Sequence, residues 1–62
     1  MLKRNELKSG DLLKCESRKL LIVLIEKTND RKWKVYLKNF ESSWEIWNMY
    51  EVWIVTHCER VN

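Results

Sequence analysis

The chain has 62 residues, 45% hydrophobic and 34% charged, with 12 Lys and Arg against 9 Asp and Glu for a net charge of +3. That length allows one small domain, and the apolar content is too high for the composition of a disordered chain. The longest apolar run, Leu20 to Ile25, falls far short of the ~20 residues of a spanning helix, so no membrane role is expected.

The N-terminal residues Met1 to Lys8 carry basic residues with no apolar stretch behind them. They do not read as a signal peptide, and an intracellular protein is expected. Gly10 supplies a permissive backbone before a first strand, Asp11 to Glu16. Leu20 to Ile25 is leucine-rich and β-branched, and reads as the central strand, buried on both faces or crossing between sheets. Thr28-Asn29-Asp30-Arg31 has the side chains that close a tight hairpin.

In Lys32 to Lys38 the alternation is clean: Trp33, Val35 and Leu37 on one face, Lys32, Lys34, Tyr36 and Lys38 on the other. Asn39-Phe40-Glu41-Ser42 is a second turn. Ser43 to Trp47 follows as a strand with Trp44 and Ile46 facing inward. Asn48-Met49-Tyr50 can form one helical turn before a last strand, Val52 to Thr56. Five short strands with regularly spaced turns suggest a small barrel or sandwich. Its expected core is Leu13, Ile22, Leu24, Trp33, Val35, Leu37, Trp44, Ile46, Val52 and Ile54.

Catalytic groups are sparse. His57 and Cys58 are chain neighbours whose side chains point to opposite faces of a strand, a poor geometry for a nucleophile and its base. Cys15, His57 and Cys58 would leave a zinc ion without a fourth protein ligand. Glu41, Glu45 and Glu51 are scattered, with no phosphate-binding glycine loop. No enzyme, cofactor or small-molecule substrate is expected, and in a reducing compartment Cys15 and Cys58 are expected as free thiols.

Two binding surfaces stand out. Residues 1–38 hold eleven basic against five acidic residues. Within them Lys32, Lys34, Tyr36 and Lys38 recur about 6.8 Å apart on one side of a strand, the pattern that meets a phosphate backbone and stacks on a base. The same pattern also suits a solvated face that discourages aggregation. The other surface is Trp47, Met49, Tyr50 and Trp53, too many large groups to fit inside a barrel already holding Trp33 and Trp44. These are candidates for a protein interface or homodimer, with Glu45 and Glu51 at its rim.

Gly10-Asp11-Leu12-Leu13-Lys14, Ile22-Val23-Leu24-Ile25-Glu26, Val35-Tyr36-Leu37, Ser43-Trp44 and Tyr50-Glu51-Val52-Trp53 follow one another in an order that resembles a known family. That family is the very small SH3-like β-barrel proteins of tailed phages of marine cyanobacteria. The resemblance covers residues 9 to 55; Asn39-Phe40 and the unbroken second strand replace glycines usual in that group. It implies an all-β, five-stranded SH3-like barrel over residues 9–56, with an extension at 1–8 and a tail at 57–62. It also implies a phage accessory protein in the cytoplasm of an infected bacterial cell, or in the virion. On this reading the protein acts by protein–protein interaction or self-association, with nucleic-acid binding through Lys32, Lys34, Tyr36 and Lys38 as the alternative.

Overall fold

A computed structural model describes residues 2–15, 19–39, 41 and 43–61. Glu16 at the end of the expected first strand, and Phe40 and Ser42 of the expected second turn, lie outside them. A 3-10 turn at Arg4–Glu6 precedes β1 (Leu12–Cys15), β2 (Leu20–Lys27), β3 (Lys32–Asn39), β4 (Glu45–Tyr50), helix α1 (Glu51–His57) and β5 (Cys58–Arg60). The strands form one antiparallel sheet in the order β4-β3-β2-β1-β5. β4 and β5 are its two edges, so the sheet is open where a closed barrel was expected.

Local chemistry explains the first three strands. Gly10 has φ 92°, a conformation other residues rarely adopt. Its N–H donates to the Leu24 carbonyl at 2.7 Å, setting β1 beside β2. The β2–β3 hairpin closes where expected: Asn29 Oδ1 accepts from the backbone N–H groups of Arg31 (2.8 Å) and Lys32 (3.0 Å). β2 is the central strand of the five. It alternates between fully buried Ile22 and Leu24 and half-buried neighbours, so it is covered on one face only.

The core lies between the inner face of the sheet and the segment formed by α1 and the N-terminal turn. It contains Leu13, Ile22, Leu24, Trp33, Val35, Leu37 and Ile54 as expected, and adds Leu2, Leu7, Cys15 and Cys58. The expected extension and tail are therefore structural, the first contributing Leu2 and Leu7 and the second β5. Three expected core residues are exposed: Trp44, Ile46 at 58% and Val52 at 64%. For Ile46 the reason is register. It pairs with Tyr36 and, as an opposed residue, shares the outer face with it. For Val52 the reason is that residues 51–57 form a helix, with the last strand after it at Cys58–Arg60 and extended backbone at 48–50 where a helical turn was expected.

The two cysteines are not free thiols. Cys15 and Cys58 are opposed in the β1–β5 pairing and joined as a disulfide with Cα atoms 4.2 Å apart. They lie 43 positions apart in sequence. The short β5 is thereby fixed to the sheet.

Candidate functional site

The outer face of the sheet follows from strand register. Leu12 pairs with Val23, Val23 with Tyr36, and Tyr36 with Ile46, so one row crosses four strands spaced about 4.8 Å apart. Nothing among the described residues covers it: Leu12, Tyr36 and Ile46 are all exposed. Trp44, just before β4, joins Tyr36 and Val23 in lining a shallow depression of about 210 Å³. Trp44 and Tyr36 are 47% and 45% exposed.

Lysines border this strip. Lys38 Nζ sits 6.0 Å from the Trp44 ring centroid and Lys32 Nζ 4.8 Å from that of Tyr50. Lys34 pairs with Asn48 across β3 and β4, and Lys14 pairs with Leu21 while its ammonium contacts Glu59 at 3.4 Å. The expected row Lys32, Lys34, Tyr36, Lys38 thus lies on one face of β3. Trp44, expected in the core, lies on this outer face instead. Among the described strand residues, Lys14, Lys32, Lys34 and Lys38 share this face with Glu26 and Glu59.

The other candidate cluster is brought together only in part. Trp47 and Met49 pair with Val35 and Trp33 on the inner face, Tyr50 pairs with Lys32 on the outer face, and Trp53 rides on α1. Met49 and Trp53 are partly buried against the core, and Trp53 stacks on His57 with centroids 4.7 Å apart.

Glu51, expected at an exposed rim, is instead 1% exposed. Arg4 Nε donates to its Oε1 at 2.7 Å, Trp33 Nε1 to its Oε2 at 2.7 Å, and Lys27 Nζ lies 3.2 Å from Oε2. Burial pushes this carboxyl up. The hydrogen bonds from Arg4, Trp33 and Lys27 and the charge of Lys27 outweigh it and hold the pKa below the ordinary value. A β-bulge makes the Lys27 contact possible: the β2–β3 register shifts between Leu24 and Glu26. The extra residue reverses the alternation, so Lys27 pairs with Trp33 and faces inward. The carboxylate is an ionised anchor with its oxygens engaged.

Cys58 is half of a cystine and offers no thiol beside His57. Among the described residues no group of three or more His, Cys, Asp or Glu side chains is placed to hold a metal ion, and no helix is long and apolar enough to cross a membrane. Comparison of the chain with protein-family models, curated proteins and solved structures returns no match.

Proposed function

We propose that this protein is a non-enzymatic binding module that takes single-stranded nucleic acid on the outer face of its sheet. The observation that carries the reading is Tyr36 and Trp44 lining one uncovered depression with Lys38 beside the Trp44 ring. Exposed aromatic rings stack on unpaired bases whatever their identity, and lysines along the same strand meet the phosphates. Charge selects the class of partner. Four lysines against two glutamates would oppose like charges if a second copy docked face to face, whereas a polyanion with flat apolar bases satisfies both the lysines and the rings.

A labelled single-stranded oligonucleotide should bind at low salt, with affinity falling as salt rises by a log–log slope of about 0.7 per phosphate contact. Removing either ring, by Tyr36→Ala or Trp44→Ala, should weaken binding by about 1–3 kcal/mol. No binding by the folded wild-type protein at low salt overturns the reading.

Docking of a protein through Trp47, Met49, Tyr50 and Trp53 as one patch has less support, because those side chains are divided between two sheet faces and a helix. Kinship with the SH3-like barrel proteins of cyanobacterial tailed phages is part of the proposal. A four-stranded meander followed by a short helix and a strand returning beside β1 supports it. Of the two places implied by that kinship, the virion fits the Cys15–Cys58 disulfide better than a reducing cytoplasm does.

A further inference from the structure

The two edges of the sheet are treated differently. β5 is three residues long, carries Glu59 and Arg60, and is fixed to β1 by the disulfide. A short, charged edge of this kind resists pairing with another chain. β4 has no disulfide, and its only charge is at its first residue. It is six residues long, and between Glu45 and Glu51 its sequence Ile46-Trp47-Asn48-Met49-Tyr50 holds no charge and no proline. Among the described residues β4 pairs only with β3, and its other edge takes no backbone hydrogen bond from a strand.

We propose that β4 pairs with β4 of a second copy, antiparallel, about a two-fold axis through Asn48. Opposed residues of antiparallel strands share a face, so the registers that keep both sheets facing the same way are those centred on a residue. Centred on Asn48, Trp47 lies opposite Met49 of the second copy on the inner face, and Ile46 lies opposite Tyr50 on the outer face. Each large apolar side chain meets another, twice over by symmetry, and the one polar residue meets itself as an amide pair. Centred on Trp47 instead, Ile46 would face Asn48 and Glu45 would face Met49. The segment is close to a palindrome in chemistry, and only the Asn48 register uses it.

Charge supports the same register. One step further along, Glu45 falls opposite Glu51 of the second copy, at the start of α1. There a cleft of about 340 Å³ is lined by Arg4, Arg31, Tyr50, Glu51 and Val52. The Glu51 carboxylate is already engaged by Arg4, Trp33 and Lys27. The Arg31 guanidinium has no partner among the described residues, and Arg4 is 62% exposed. Glu45, whose only side-chain hydrogen bond among the described residues is the one its Oε1 accepts from the Trp47 indole N–H at 3.1 Å, reaches that cleft with a charge of the opposite sign. Two such contacts form per dimer. The contact is a strand edge rather than a broad face, so association is concentration-dependent.

The result is one ten-stranded sheet in which the row Leu12, Val23, Tyr36, Ile46 continues into Tyr50 and Lys32 of the second copy. The inference does not depend on nucleic-acid binding, and it is measured without any ligand. Light scattering should show the mass rising from 7.7 kDa toward twice that value with concentration. Asn48→Lys and Asn48→Asp place like charges on the axis, so each alone should stay monomeric, and an equimolar mixture should recover the doubled mass. Asn48 is exposed, and circular dichroism identical to wild type verifies that both variants fold. Glu45→Arg should raise the concentration needed for association at least tenfold. A wild-type protein monomeric at millimolar concentration overturns the proposal, as does a dimer that both Asn48 variants leave intact.

Discussion

Glu51 joins four parts of the chain through one carboxylate: the N-terminal turn by Arg4, β2 by Lys27, β3 by Trp33 and α1 by its own backbone. Glu51→Leu should cost about 1–3 kcal/mol, because the buried Trp33 indole N–H loses its acceptor while Arg4 and Lys27 return to water. Urea denaturation measures the difference. The pH dependence has a definite sign. The folded pKa lies below the ordinary value, so the unfolded chain binds the proton first as pH falls. The stabilisation is complete above the ordinary glutamate pKa of about 4.3 and is lost as pH drops through the folded value. The gap in urea midpoint between wild type and Glu51→Leu should accordingly narrow as the pH falls below about 4.3; a gap that widens contradicts the assignment. The residue was read as a rim glutamate because a glutamate in a short chain is exposed by default. Its partners lie 47, 24 and 18 positions away, beyond the reach of any local pattern.

At the scale of elements, β1, β2 and β3 were legible because the hairpin chemistry of Asn29 and the alternation of Lys32 to Lys38 agree. β4 was not. Trp44 and Ile46 form one alternating set and Trp47 and Met49 the other, and hydrophobicity alone does not say which faces inward; pairing with β3 decides it. Trp33→Ala should cost about 3–5 kcal/mol, whereas Trp44→Ala should stay within about 0.5–1 kcal/mol of wild type. Equal losses in thermal denaturation would return Trp44 to the core. Helix α1 was missed because Val52, Ile54, Val55 and Thr56 favour strands and poorly favour helices. The signal is nevertheless present: Glu51, Ile54, Val55 and Cys58 recur at i, i+3, i+4 and i+7, the spacing of a helix face, but a glutamate hides it because it is exposed by default. Here tertiary anchoring outweighs propensity, with the Glu51 N–H donating to the Arg31 carbonyl at 2.7 Å and Ile54 fully buried. The disulfide was unreadable for a similar reason, since only strand pairing sets Cys15 opposite Cys58. With a sequence separation of 43, the crosslink stabilises by about 4 kcal/mol on the chain-entropy relation. Reduction should lower the melting temperature by more than ten degrees, and it should release β5 and α1 first, as read by hydrogen exchange. Uniform loss of protection across β2 and β3 at the same rate would argue against that order.

For the whole molecule, five strands covered on one side only among the described residues leave a sheet with one buried face and one exposed face. The inner face meets α1 and the N-terminal turn, and the outer face presents Tyr36, Trp44 and the lysines. The open architecture makes this division possible, since strands closed on themselves would have wrapped both ends of the row Leu12 to Ile46. Four tryptophans sit in four distinct settings: Trp33 in the core, Trp44 on the outer face, Trp47 at the β4 edge on the inner side and Trp53 on α1. Each indole N–H gives its own nuclear magnetic resonance signal, so titrating a short single-stranded oligonucleotide into the isotope-labelled protein at low salt locates the contact directly. The account predicts that the Trp44 indole and the amides of Lys34, Tyr36 and Lys38 shift in a saturable, salt-sensitive way while the Trp33 and Trp53 indoles stay in place. Shifts centred on Trp53 and α1 with Trp44 unmoved, or no shifts at all, would contradict it.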